Sequence, residues 1–217
     1  MKTMVIACEM LRPEIEFILA ELDLPFEVYW IEPALHLTPN KLHTRLQELF
    51  DSLVDIERVI MPFGECGGAL KDLQTKAFEI IVPQVDDCLT LMLGSQSIRE
   101  QIISEEATFF LTLGWIKQEK NIFAEYEYAL NKYGEEAAEM IYEQMYGNYK
   151  RVALIDTGVG NVDELLSYKD GIEKLLKMKQ FMISGTLDYL RALFLGPWPE
   201  SRFTVVAPFS KTSGEVI

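Results

Sequence analysis

Short runs of apolar, β-branched residues alternate along this chain with longer stretches whose apolar positions recur every three or four residues. Thr3 to Ala7 is the first such run and predicts a buried strand. Ile15, Ile18, Leu19 and Leu22 follow at helical spacing, with Pro13 in the first turn, where its missing N–H is tolerated. Phe26 to Ile31 predicts a second strand, and the Pro33 to Pro39 segment a loop. Thr38 is placed to cap the next helix with Pro39 at its first position, and Leu42, Leu46, Leu49 and Leu53 share one face. Arg58 to Met61 and Glu79 to Val82 read as the third and fourth strands. Between them lie a glycine-rich loop, Pro62 to Gly68, and a short helix over Ala69 to Lys76; after them come Pro83 to Cys88 and a short helix, Leu89 to Leu93, stopped by Gly94.

The second half repeats the alternation more loosely. Ala107 to Leu113, Arg151 to Ile155, Phe181 to Ser184 and Phe203 to Ala207 predict strands. Helices are predicted for Asn121 to Asn131 and Glu135 to Tyr146, on either side of Gly134, for Val162 to Met178 with a break at Gly171, and for Thr186 to Leu195. Strands alternating with helices imply an α/β fold: a three-layer, mostly parallel, Rossmann-like sheet with helices on both faces. With no linker-like or low-complexity stretch, the expectation is a single domain over 1–217, with 121–147 as a helical insertion or cap.

Charge narrows the partners. The net charge is -14, and an acidic surface repels phosphate backbones and anionic lipid, so general nucleic-acid binding is excluded. Lys174, Lys177 and Lys179 read as a solvated helix face. No apolar run is long enough to span a membrane. The N-terminal apolar run leads straight into Cys8-Glu9 and reads as a strand, not a secretory signal. Together with an odd number of cysteines, which argues against a disulfide framework, this points to a reducing cytoplasm.

Cys8, Cys66 and Cys88 are all the cysteines of the chain, and each falls just past the predicted C-terminal end of a strand. In a parallel sheet those ends form one edge, where ligands bind. Three thiols assembled there would suit an iron–sulfur cluster or zinc, with one position left for another ligand. The long intervals between them mean that only the fold can build the site. Gly64, Gly67 and Gly68 around Cys66 allow a sharp turn and close approach to a ligand, and a helix beginning near Gly67 would stabilise a thiolate. The plainer reading of Cys66 is a buried thiol in a glycine turn.

Asp86 and Asp87 precede Cys88; one of them is expected to cap the helix that follows, the other to face the crevice. Asp87 and His36 are the candidates for proton handling, although a loop histidine is more often bonded to backbone. His43 is expected on an exposed helix face. Ala7-Cys8-Glu9 lacks a dinucleotide glycine fingerprint, and the phosphate-loop lysine motif is absent. No nucleophilic triad is visible around Ser95 or Ser184. Gly158 and Gly160 could form an anion nest before Val162, or a simple turn.

Several motifs together carry a resemblance. Leu35-His36-x-x-Pro39, Gly64-x-Cys66-Gly67-Gly68, Asp87-Cys88 with Leu93-Gly94-Ser95, Thr112-x-Gly114-Trp115, Asn148-Tyr149, Ile155-Asp156-Thr157-Gly158 and Gly196-x-Trp198 are similar to the pattern of domain-of-unknown-function family 1638. The chain departs from it at Asp86, where a histidine is common, and at Phe63, where tyrosine is. The family's pattern carries Cys66 and Cys88 more clearly than Cys8. The resemblance implies a setting in methanogens and anaerobic bacteria, beside corrinoid-dependent methyltransferases, and hence anaerobic one-carbon metabolism.

The expected function is therefore a metal-binding protein with Cys8, Cys66 and Cys88 as ligands to an iron–sulfur cluster or zinc, and Gly67, Gly68 and Trp115 as cofactor-contacting residues. Two alternatives stand beside it: a non-catalytic module for a corrinoid or methyltransferase partner, and a thiol redox protein. Direct corrinoid binding through a histidine is not supported, since the aspartate-x-histidine-x-x-glycine run is absent. A homodimer is a further expectation.

Overall fold

A computed structural model describes residues 1–212. The strands are β1 (Thr3–Cys8), β2 (Glu27–Ile31), β3 (Arg58–Ile60), β4 (Glu79–Pro83), β5 (Thr108–Thr112), β6 (Arg151–Asp156), β7 (Lys179–Ser184) and β8 (Phe203–Val206). The helices are α1 (Arg12–Glu21), α2 (Pro39–Ser52), α3 (Cys88–Leu93), α4 (Gln96–Glu105), α5 (Leu113–Ile116), α6 (Ile122–Tyr133), α7 (Glu135–Tyr146), α8 (Val162–Ser167), α9 (Lys169–Leu176) and α10 (Asp188–Leu195). The fold is α/β, with helices around mostly parallel sheets.

The described residues group into two compact units, residues 1–96 with the chain from Leu187 onward, and residues 97–186. The first holds a five-stranded sheet in the order β2-β1-β3-β4-β8. Its first four strands are parallel, and β8 runs antiparallel beside β4. β1 sits inside this sheet, and Val5, Ile6 and Ala7 are fully buried, which is why it reads as an unbroken apolar run rather than an alternating one. The chain leaves β1 for β2 on one side and then crosses to β3 on the other. That reversal opens a crevice at the C-terminal ends of β1 and β3, the position where open α/β sheets bind ligands.

The second unit carries a separate parallel sheet in the order β5-β6-β7. Val152 and Leu154 of the central strand join Leu111, Leu165 and Ile172 in its core. Residues 121–147, expected as an insertion or cap, form α6 and α7 in this unit, and Ile122 and Tyr142 pack into the same core.

Three local expectations differ from what the structure shows. Ala69 to Lys76 forms turns, not a helix. Its backbone is tied to the far end of the chain: Asp72 and Thr75 donate to the carbonyls of Thr212 and Ser210, at 3.1 and 2.9 Å, and Leu73 N donates to Thr212 Oγ1 at 2.9 Å. Asp72 also lies at a φ of 61°, outside the helical region. The break in the 162–178 segment falls at Tyr168, between α8 and α9, rather than at Gly171. Gly171 stays inside α9, where a Cβ would meet the Phe123 ring at 3.1 Å; the glycine makes room for that ring. Thr38 is the N-cap of α2 but makes no side-chain capping bond.

Candidate functional site

The strand order brings the cysteines to one edge of the first sheet. Cys8 is the last residue of β1, Cys66 lies in the loop after β3, and Cys88 follows β4 as the first residue of α3. These three strands are consecutive neighbours. All three thiols are free. The charge of Cys8 raises the pKa of Cys66, and the charges of Cys8 and Cys66 both raise that of Cys88, so the three form one electrostatic cluster.

Burial is the largest influence on each thiol and acts against the charged form. It pushes Cys8 up to about 11 and Cys66 up to about 12, with a backbone contact pulling the other way in each case. Cys88 keeps some exposed surface, yet the protein packed around its sulfur raises it well above the usual thiol range. The expected thiolate-stabilising helix at Gly67 does not form. Cys66–Gly68 is a single 3-10 turn interrupted by left-handed Gly67, and the helix start belongs to Cys88.

Two glycines shape the crevice. A Cβ on Gly64 would lie 2.4 Å from Asp87 Cα, 2.5 Å from Asp87 N and 2.7 Å from the Asp86 carbonyl carbon. Only glycine lets the loop after β3 press on the backbone just before Cys88. Glu65 N donating to Val85 O at 3.0 Å locks the two loops together. Gly67 in turn lies against Pro39 at the start of α2, where a Cβ would come within 2.9 Å of Cγ. Between them Cys66 itself adopts a φ of 47°, a left-handed conformation that costs a non-glycine residue roughly 1–2 kcal/mol. The fold thus holds this thiol in place against a backbone preference.

Asp87 is the capping member of the aspartate pair. Its Oδ1 accepts from Thr90 N at 3.1 Å and from Thr90 Oγ1 at 3.3 Å. Asp87→Ala should therefore cost about 1 kcal/mol of stability in urea unfolding, with Asp87→Asn recovering most of it. Asp86 is exposed and accepts a short hydrogen bond from Gln96 Nε2, while Gln96 Oε1, 3.1 Å from Thr90 Oγ1, shares the single hydroxyl proton with Asp87. Gln96 therefore bridges both ends of the segment that carries Cys88. No sequence pattern marks it.

His36 sits after β2, at the same edge, on an exposed 3-10 turn, and is not among the charged neighbours of the thiols. His43 departs from its expected exposed position: it is half-buried, with Nδ1 3.1 Å from Ala69 O. It braces the exit of the Cys66 loop. The signal was available in the spacing, since Pro39, His43, Leu46 and Phe50 fall on one helical face. Gly67 and Gly68 are exposed beside Cys66. Trp115 belongs to the second unit, where it packs partly buried against the core there, its backbone N–H donating to the Thr112 cap at 3.2 Å.

Among the described residues, no group of three or more His, Cys, Asp or Glu side chains is disposed as it stands to hold a metal ion. The thiols share an edge and one another's fields but are not drawn onto a single point.

Two comparisons return nothing: neither a curated protein nor a solved structure matches this chain. A family model does match, over residues 30–194, well over half of the chain. Cys66 and Cys88 lie within the matched residues and Cys8 lies before them. The chain therefore belongs to DUF1638, a family described as protein of unknown function.

Proposed function

We propose that this protein binds a soft metal centre, zinc or an iron–sulfur cluster, through Cys8, Cys66 and Cys88. One observation carries the reading: the chain's three cysteines stand at or just past the C-terminal ends of three adjacent parallel strands, around the crevice where the strand order reverses. Zinc and cluster iron both favour sulfur ligands, and a bound cation offsets the repulsion among neighbouring thiolates. Because the thiols do not stand in ligand geometry, binding requires them to close on the ion. Three protein ligands would leave a fourth position for water or substrate.

We place the work of this centre in anaerobic one-carbon metabolism beside corrinoid methyl transfer, in the cytoplasm, with a corrinoid protein or methyltransferase as partner. The family resemblance alone supports the metabolic setting and the partner; the cytoplasm rests on the odd number of cysteines and the strand-like start of the chain. Asp87 and His36 are the groups at this edge that could exchange protons with a ligand.

Elemental analysis and an absorption spectrum of protein purified without oxygen test the reading. One zinc or one cluster per chain is expected, with sulfur-to-iron absorption in the second case. Metal-free protein that takes up neither zinc nor reconstituted iron and sulfide, with all three thiols free to react, would overturn it.

A further inference from the structure

A groove of about 710 Å³ lies in the second unit, along the pair of helices α6 and α7. That is the size of a small-molecule site, and its lining is predominantly apolar. Ala124 and Ala129 leave the space on α6, while Ile141 and Met145 of α7 supply the opposite wall. Tyr128 and Tyr133 flank it, 59% and 53% exposed respectively, so their rings are only half used by the fold. Glu119 and Glu125 stand at the end where α6 begins; Lys120 is the one cation in the lining and opposes Glu125 through longer-range charge.

We propose that this groove binds an organic cation with an apolar body, its ammonium group held by Glu119 and Glu125 and its body lying between Tyr128, Ala129 and Met145. The charge balance of the lining favours a cation, with two carboxylates against one lysine. Tyr128 and Tyr133 each have the Lys132 ammonium 5.1 Å from the ring centre, so these rings already carry the chain's own cation, and the ligand's ammonium belongs at the carboxylate end of the groove. The length selects a small ligand over a partner helix. From Ala124 to Tyr133 the floor runs about 14 Å at the rise of an α-helix, under three turns, with its carboxylates gathered at one end. The inference does not rest on the cysteine site.

The test uses the full chain with 2-phenylethylammonium and its neutral near-isostere 2-phenylethanol, followed by calorimetry and by the methyl NMR signal of Met145. Binding of the cation at millimolar concentration is expected, with Met145 shifting. The double variant Glu119→Gln/Glu125→Gln should weaken binding about fivefold, consistent with the loss of exposed charge pairing, while far-UV circular dichroism stays unchanged. Met145→Ala, which leaves the carboxylates in place, should also weaken it. Equal binding of the neutral compound, no shift at Met145, or an unchanged affinity in the double variant would each overturn the proposal. So would binding of a basic amphipathic Lys/Leu peptide in the groove where the small cation does not bind.

Discussion

Replacing Gly64 with alanine should destabilise the first unit by about 3 kcal/mol and abolish metal uptake along with it. The reason is backbone against backbone: the added methyl would lie 2.4–2.7 Å from three main-chain atoms of Asp86 and Asp87, none of which is the end of a flexible side chain. Relief requires the loops after β3 and β4 to separate. That breaks the bond from Glu65 N to Val85 O and carries Cys66 away from Cys88. Gly68→Ala is the control. Gly68 has a φ of 81° and nothing within 4 Å of the added atom. Its cost should be the left-handed penalty alone, roughly 1–2 kcal/mol. Urea unfolding of the two variants measures the difference, and equal losses would mean that the contact between the loops is not what holds this edge together.

The second large effect concerns the ligands. Cys8→Ala, Cys66→Ala and Cys88→Ala should each lower zinc affinity on the order of 100-fold or more, since even changes to groups that only support metal ligands cost 10–100-fold. Competition against a chromophoric chelator measures it. The prediction is one of equivalence: three residues on three different strands should show losses of similar size. If only Cys66→Ala and Cys88→Ala weaken binding, the centre belongs to the family-matched segment, and Cys8 is a core residue at the end of β1.

Much of the first sheet was legible in the chain because a buried parallel strand leaves an unmistakable pattern. β1, β3 and β4 are continuous apolar runs bounded by polar and glycine-rich segments, and their observed limits lie within a residue of those expected. The edge on which the cysteines gather followed from the same logic, since the crossovers of a parallel sheet place all C-terminal ends together. What was not legible depends on partners distant in sequence. Ala69 to Lys76 has helical composition, but the backbone donors of Asp72, Leu73 and Thr75 are taken by Ser210 and Thr212. The separation of β5, β6 and β7 into their own sheet is a matter of pairing, which periodicity does not encode. Gly64 was visible as part of a flexible turn, but its purpose, contact with the Asp87 backbone, exists only once both loops are in place. The helix expected near Gly67 failed for a related reason: left-handed φ values at Cys66, Gly67 and Gly68 close the turn before an α-helix can start.

X-ray absorption at the metal edge of zinc-loaded protein tests the central claim most directly. Three sulfur neighbours at about 2.3 Å, with a single lighter atom completing the shell, is the expected result. A shell of nitrogen and oxygen, or one containing a single sulfur, would mean that the three cysteines do not share a metal.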